Sequence, residues 1–154
     1  MSYAGFWKRF AAYLIDTILV GAVVGIISLV FGVGLFGSMA TMDVQSMSEE
    51  ESAAMAAGMV GGLMMFALIM FVLQWLYFAL MESSSKQGTL GKMALGIVVT
   101  DLSGNRISFG RATGRYFGKI LSGLIFYIGY IMVAFTEKKQ GLHDMISSCL
   151  VMNK

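Results

Sequence analysis

The apolar positions of this chain gather into two long stretches, each able to cross a bilayer. Residues 10–36 are apolar except for Asp16 and a few small polar residues, and residues 53–81 form a second run that Gln74 interrupts. About 20 apolar residues are enough to span the hydrocarbon core of a membrane. We therefore predict transmembrane helix 1 at about 10–36 and transmembrane helix 2 at about 53–81.

The first apolar stretch also has features of a cleavable secretion signal. Lys8 and Arg9 precede it, and Ser-Met-Ala at positions 38–40 resembles a cleavage site. The apolar core of a signal peptide has only about 7–15 residues, whereas this stretch is much longer and carries an aspartate. These two differences favour an uncleaved membrane anchor.

An acidic loop, residues 37–52, separates the two predicted helices. It contains four acidic residues and no Lys or Arg. Ser48 followed by Glu51 has the spacing of a capping box, in which each residue satisfies the backbone N–H of the other at a helix N-terminus. Helix 2 is therefore predicted to begin near these residues.

A short β-structure is predicted after helix 2. Residues 96–100 have the composition of a strand, residues 103–105 that of a turn, and residues 106–109 that of a returning strand. We predict a cytoplasmic β-hairpin at about 95–109, outside the bilayer. Residues 149–152 are a candidate third strand.

The orientation follows from the basic residues that flank the helices. Lys8 and Arg9 precede helix 1, the loop after it has no basic residue, and residues 82–119 contain six. Cytoplasmic loops carry an excess of Lys and Arg. The N-terminus and residues 82–119 are therefore predicted to be cytoplasmic, and the acidic loop external.

The helical region 108–136 allows two topologies. Its apolar part, residues 120–135, is slightly short for one full span. A single crossing would place the basic tail, residues 137–154, on the external side and separate residues 149–152 from the hairpin. A helical hairpin that returns to the cytoplasm avoids both conflicts, and the charge pattern favours it.

Small and basic residues alternate along the start of this region. Gly110, Gly114, Gly118 and Ser122 recur every four residues and form one ridge on a helix. The basic residues follow one position later, and they are Arg111, Arg115 and Lys119. We predict an interfacial helix whose small face packs on protein and whose basic residues contact lipid headgroups.

The composition agrees with a membrane protein of one domain, residues 1–154. The chain is 57% hydrophobic and only 13% charged, whereas a soluble domain is about 25% charged. A net charge of +2 does not indicate nucleic-acid binding. The single cysteine, Cys149, excludes an internal disulfide. No cofactor or metal site is predicted. The expected fold is mainly α-helical, with two long transmembrane helices, a third glycine-rich hairpin or span, and a small cytoplasmic β-unit.

Asp16 is the most informative polar residue. Carboxylates within membrane helices are costly, so they usually face a partner, a cavity or a pathway. Gln74 lies at a similar depth from the cytoplasmic end of helix 2, so the two side chains are candidates for a hydrogen bond. One interpretation is a packing clamp, and the other is a protonatable site for a cation. The residues leave both open.

Arg9 and Asp144 are the other candidate site residues. Arg9 suits a headgroup-level anchor, or a partner for a carboxylate at the cytoplasmic rim. Asp144, in the tail beside His143, is the candidate carboxylate. No nucleophile with a neighbouring base, phosphate loop or dinucleotide motif is visible, so an enzyme is not expected.

Several ordered blocks of the chain resemble the RDD family of bacterial membrane proteins, named for an arginine and two aspartates. The first block runs from Gly5 to Asp16 and contains Arg9. The later blocks are Gln87-Gly88-Thr89-Leu90-Gly91-Lys92, Ser108-Phe109-Gly110-Arg111-Ala112 and Gln140-Gly141-Leu142-His143-Asp144. The resemblance implies that Arg9, Asp16 and Asp144 are the three defining residues. It also implies a multi-spanning protein of the bacterial inner membrane that is suspected of transport.

Two functions remain open on this basis. In the first, the protein is a transporter that exchanges protons for a small cation at Asp16, with Gln74 as a neutral ligand and Arg9 as a gate. Two spans form too thin a wall for a pathway, so this hypothesis requires a homo-oligomer joined through glycine-rich faces. In the second, the protein is a non-transporting scaffold or assembly partner, and Arg9, Asp16 and Asp144 lock the helices to the β-unit.

Overall fold

The computed structural model describes residues 2–43, 46–125 and 128–154 and contains two compact units. One unit combines the residues up to Leu19 with those from Gln74 onward, and the other comprises Val20–Leu73. The elements in chain order are α1 (Phe6–Ala40), α2 (Glu49–Ser83), α3 (Leu90–Ala94), β1 (Ile97–Asp101), α4 (Phe109–Leu124), α5 (Ile128–Ile131) with a 3-10 turn (Met132–Ala134), α6 (Leu142–Ile146) and β2 (Cys149–Asn153).

The two predicted transmembrane helices are present. α1 and α2 each have 35 residues, and the most apolar part of each is not buried within the protein. At a rise of about 1.5 Å per residue, each is longer than the roughly 30 Å hydrocarbon core. Both helices therefore extend beyond the bilayer, and their termini can contact groups outside it.

The Val20–Leu73 unit holds the distal parts of both long helices and the acidic loop. The predicted capping box is confirmed: the Ser48 N–H donates to Glu51 Oε2 at 2.8 Å, and the Glu51 N–H donates to Ser48 Oγ at 3.3 Å. The rings of Phe31 and Phe66 stack with centroids 4.4 Å apart. Contacts between copies of the chain through the glycines of this unit remain a prediction.

The sheet differs from the predicted hairpin. β1 pairs antiparallel with β2, with Val99 opposite Val151, so the candidate third strand is the main partner. The segment predicted to return at 106–109 makes only a single bridge, between Thr100 and Arg106. The prediction of a β-hairpin was wrong in this respect, although the small β-unit itself is present.

Local hydrogen bonds explain why the returning strand does not form. The Asp101 carboxylate accepts the N–H groups of Ser103 and Asn105 at 2.9 and 2.8 Å and closes a tight turn. Three residues after Asn105, the Ser108 hydroxyl accepts the Arg111 N–H and caps α4. The chain therefore enters a helix before a second strand can extend.

The strand pairing bears on the two topologies of the third region. α4 and the segment Ile128–Ala134 make an angle of 117°, and residues 126 and 127, which belong to the predicted helical hairpin 108–136, lie outside the described residues. Because β1 precedes this region and β2 follows it, the chain leaves one sheet and returns to the same sheet. This arrangement favours the returning hairpin over a single crossing.

The two chain ends lie together on this sheet. The Ala4 N–H donates to the Val151 carbonyl at 2.9 Å, and the Asn153 N–H donates to the Ser2 carbonyl at 2.8 Å. Small and β-branched residues from both long helices, the sheet, α4 and the segments just before α1 and α4 form the buried core beside it. They include Ala4, Ala12, Ala79, Ile97, Val99, Ile107, Ala112, Cys149 and Val151. The first turns of α1 are thereby held against the C-terminal strand.

Candidate functional site

Asp16 binds the start of α3. The Gly91 N–H donates to Asp16 Oδ1 at 2.8 Å, the Tyr77 hydroxyl donates to the same oxygen at 3.1 Å, and the Thr89 hydroxyl donates to Oδ2. The Leu90 N–H donates in turn to the Tyr77 oxygen at 3.2 Å. Asp16 thus supplies, from another helix, an acceptor for backbone groups that α3 leaves unpaired at its N-terminus.

Gly91 permits this contact because it has no side chain. A Cβ at this position would overlap the Ala12 carbonyl and press on the Asp16 carboxyl group. The block at 87–92, noted only for its resemblance to the family, therefore contains two of the donors to Asp16. The predicted partner Gln74 is exposed and is not among the residues that donate a hydrogen bond to Asp16. That prediction was wrong because Tyr77, one helical turn further along α2, reaches the carboxylate instead.

Arg9 connects the first turn of α1 to the C-terminal region. Its Nη1 lies 2.5 Å from Asp144 Oδ2, its Nε donates to the Ala4 carbonyl at 2.9 Å, and its Nη2 donates to the Lys139 carbonyl. The ion pair that the sequence offered between Arg9 and Asp144 is therefore present. Asp144 is fully buried and also accepts the Gly141 N–H at 3.2 Å.

Arg115 lies between two buried carboxylates. Its Nε is 2.7 Å from Asp144 Oδ1, and its Nη1 is 3.1 Å from Glu82 Oε2. The predicted headgroup contact of Arg115 is therefore wrong, since only 2% of its side chain is exposed. The spacing along α4 could not reveal this, because the two carboxylates come from α6 and from the end of α2.

Glu82 is shared by three cations. Besides Arg115, Lys92 pairs with Oε1, and Lys119 Nζ lies 3.3 Å from the same oxygen. Burial lowers the pKa of Lys92 to about 7, although the Glu82 carboxylate opposes that shift. Lys119 also lies 4.9 Å above the Phe78 ring, and 20% of its side chain is exposed.

The remaining basic residue of α4 lies outside this network. Arg111 is 48% exposed and 3.9 Å from Asp101, so it remains a candidate for headgroup contact. The predicted small ridge packs on protein in its second half. A Cβ on Gly118 would lie 3.0 Å from the His143 Cα, and Ser122 lies against Gly129.

His143 is buried beside Asp144. Its Nε2 lies 3.4 Å from Asp144 Oδ1, and its ring centroid is 5.1 Å from that of Tyr130. Burial lowers the pKa of His143 to about 3, so the ring is neutral at neutral pH. Burial by itself would raise the pKa of Asp144, but the charges of Arg115 and Arg9 outweigh it and hold that pKa below its usual range.

These side chains surround a cavity of about 340 Å³. Its polar wall contains Arg9, Asp16, Lys92, Arg115, Lys119 and His143. The rest of the wall is apolar or aromatic and includes Phe6, Phe10, Tyr13, Phe78, Tyr130, Ile131, Val133 and Val151. No metal-binding group of three His, Cys, Asp or Glu side chains occurs in residues 2–43, 46–125 and 128–154.

Sequence reasoning missed Glu82, Tyr77 and Lys92. Glu82 was the first charge after an apolar run, a position that usually marks only the end of a helix. The signal in the sequence was the excess of basic over acidic residues from 82 to 119, which made Glu82 a candidate counter-charge. Predicting that Glu82 is buried would have required knowing that α4 packs on the end of α2.

Comparison with known proteins gives a consistent family. The family model described as the RDD family matches residues 3–148. The chain is similar to the uncharacterized protein YxaI of Bacillus subtilis (strain 168), with 47% identity over 152 residues that cover 98% of this chain and 97% of that protein. It is also similar to the uncharacterized membrane protein YteJ of the same organism, with 32% identity over 163 residues that cover 99% and 82%. No solved structure matches.

Proposed function

We propose, from the premise that this chain belongs to the RDD family, that it is a non-transporting membrane scaffold whose arginine and two aspartates lock an extramembrane unit to the first transmembrane helix. The locked unit consists of α3, the β1–β2 sheet and α6. It forms a platform at the membrane surface that is suited to assembly with another protein.

One observation carries this proposal: all three family residues join α1 to elements outside the long helices. Arg9 pairs with Asp144 in α6, and Asp16 accepts two donors at the start of α3. An unpaired buried charge is strongly unfavourable, so each contact restrains the element that it holds. Together, the three residues hold α3 and α6 in place against the N-terminal part of α1.

Cation exchange at Asp16 is the competing function, and the local charges oppose it. Three protein donors already point at the Asp16 carboxylate. The cavity that Asp16 lines also contains Arg9, Lys92, Arg115 and Lys119. A small cation would therefore be repelled from this carboxylate.

We further propose that the protein lies in the bacterial cytoplasmic membrane with both termini in the cytoplasm. The absence of Lys and Arg from the loop between α1 and α2, against six in residues 82–119, supports this orientation. Homo-oligomers are a separate proposal. Their support is the exposed apolar surface of α1 and α2, which contains two GxxxG pairs.

The deciding experiment compares Asp16→Asn with the wild type in proteoliposomes. We expect no proton flux driven by Na⁺, K⁺ or Li⁺ gradients from the wild-type protein. We also expect Asp16→Asn to lower the melting temperature and the cellular abundance, because an amide pairs poorly with three donors. Asp43→Asn, an exposed aspartate in the acidic loop, is the matched control and should resemble the wild type.

A different result would overturn the scaffold. If the wild type supported cation-dependent proton flux, and Asp16→Asn abolished it at unchanged melting temperature and equal incorporation, Asp16 would be a carrier. The same protein samples serve both measurements, so a loss of flux through misfolding is recognised by the melting temperature.

A further inference from the structure

The polar wall of the cavity carries an excess of positive charge. Four cationic side chains share two carboxylates: Arg9 and Arg115 pair with Asp144, while Arg115, Lys92 and Lys119 pair with Glu82. Asp16 adds a third carboxylate, but its own hydrogen bonds are to neutral groups. Cations therefore outnumber carboxylates even when Asp16 is counted.

Arg9, Lys92, Arg115 and Lys119 all line the cavity, whereas Glu82 and Asp144 lie behind them and do not. Buried charges that lack a counter-charge are costly. An anion in the cavity would supply the missing charge.

The apolar and aromatic part of the cavity wall is suited to contact with hydrocarbon. Phe10 and Tyr13 line the cavity and are also 43% and 57% exposed, so they mark where it opens. Both belong to α1, a candidate membrane span. Aromatic side chains at this level are typical of the interface between bilayer and water. The opening is therefore accessible from the lipid, and a soluble anion would leave the apolar wall without a partner.

We infer that the cavity binds one anionic membrane phospholipid, with its phosphate beside Lys119, Lys92 and Arg9 and the start of an acyl chain along Phe10 and Tyr13. This inference goes beyond the scaffold function and does not depend on it. A volume of about 340 Å³ accommodates the headgroup region and leaves the rest of the chains in the bilayer.

Lys119 is the residue to change. It is the more exposed of the two lysines on Glu82, and Glu82 keeps two cations when Lys119 is neutral. Arg111, four residues from Arg115 on the same helix, is cationic and exposed but does not line the cavity. Lys119→Gln thus removes one positive charge from the cavity wall, and Arg111→Gln removes one positive charge outside the cavity.

The experiment uses delipidated full-length protein in a neutral detergent and native mass spectrometry to count bound lipid. The probes are phosphatidylglycerol and phosphatidylcholine with identical acyl chains, and glycerol 3-phosphate as the soluble anion. We expect one tightly held phosphatidylglycerol per chain, bound more strongly than phosphatidylcholine. One charge near an anionic lipid is worth about 1 kcal/mol, so Lys119→Gln should weaken phosphatidylglycerol binding roughly fivefold, and Arg111→Gln should not.

Three outcomes would overturn the inference. Equal retention of both lipids would show that the cationic wall does not select an anion. Equal losses in Lys119→Gln and Arg111→Gln would indicate general attraction to the surface. Competition by glycerol 3-phosphate as strong as that by the lipid would identify a soluble ligand. Should Lys119→Gln not fold, Lys119→Arg keeps the charge and should bind phosphatidylglycerol like the wild type, and the wild-type preference for phosphatidylglycerol remains a separate test.

Discussion

Arg9 Nη1 and Asp144 Oδ2 lie 2.5 Å apart and join the first turn of α1 to α6 across 135 positions of the sequence. The same guanidinium donates to the carbonyls of Ala4 and Lys139. A lysine provides a point charge and cannot reproduce this planar set of donors. The contact therefore depends on the shape of arginine as well as on its charge.

The first prediction concerns Arg9→Lys and Asp144→Asn. Arg9→Lys should lower stability by about 1–3 kcal/mol, since two carbonyls lose their donor while the charge remains. Asp144→Asn should cost more, about 3–5 kcal/mol, because Arg9 and Arg115 lose a shared buried carboxylate. Thermal unfolding in detergent, followed by tryptophan fluorescence, measures both. Arg111→Lys, at an exposed position, is the control, and the prediction fails if Arg9→Lys melts with it.

The second prediction concerns glycines. Gly91→Ala should destabilise the protein by about 1–3 kcal/mol, since the added methyl group overlaps the Ala12 carbonyl and displaces α3 from Asp16. Gly114→Ala should be neutral or stabilising, because no atom lies within 4 Å of the new methyl group among the described residues, and alanine is the better helix former. Melting temperatures in the same detergent test the contrast. Equal effects of the two changes would mean that α1 and α3 are not in contact.

The third prediction is a loss of stability in acid. The pKa of His143 is about 3 in the folded protein, against 6.5 when unfolded. Between these values the unfolded chain binds a proton that the folded protein does not, so stability falls as the pH drops from 6.5 towards 3. The pKa of Asp144 is also lowered, from 3.8, so the stability that it contributes is present above that value and is lost below it.

His143→Asn should therefore flatten the decline of melting temperature between about pH 6.5 and 4.5, a range in which histidine titrates and aspartate largely does not. Wild-type protein in the same buffers provides the reference slope. A variant that declines as steeply as the wild type would show that another group titrates in this range.

The fourth prediction concerns topology. Cys149 is fully buried and burial raises the pKa of its thiol, so it should resist thiol reagents in the folded protein on either side of the membrane. Cysteines must therefore be introduced at exposed positions, and Met42→Cys and Lys154→Cys serve for the acidic loop and the tail. On intact cells an impermeant maleimide should label Met42→Cys alone. Lys154→Cys should react only after lysis, and the reverse pattern would invert the proposed orientation.

The long helices and the β-strand after α2 were predictable from local pattern. Apolar runs of this length require lipid contact, and the Ser48 and Glu51 pair capped α2 as its spacing indicated. The pairing of the strands was harder to predict, since both residues 149–153 and residues 106–109 were candidate partners for β1. The capping of α4 at Ser108 decided that competition.

The candidate site was only partly visible in the sequence. Arg9, Asp16 and Asp144 stood out because buried charges and a family resemblance drew attention to them. Their partners did not, since Thr89, Gly91 and Glu82 are ordinary residues until the chain brings them to a carboxylate or a cation. Arg115 illustrates this limit, because its spacing on α4 matched residues that face lipid headgroups.

By itself, the sequence determined that this is a membrane protein with two long apolar helices. It also identified the charged residues that need a polar partner because they lie in or beside an apolar segment. These properties depend on composition and on neighbours within a few turns. Only the tertiary structure decided that Asp16 binds α3, that Arg115 is buried between Glu82 and Asp144, and that cations surround a cavity. Those contacts join residues far apart in the chain, and burial of a charge is a property of the packed elements rather than of any one segment.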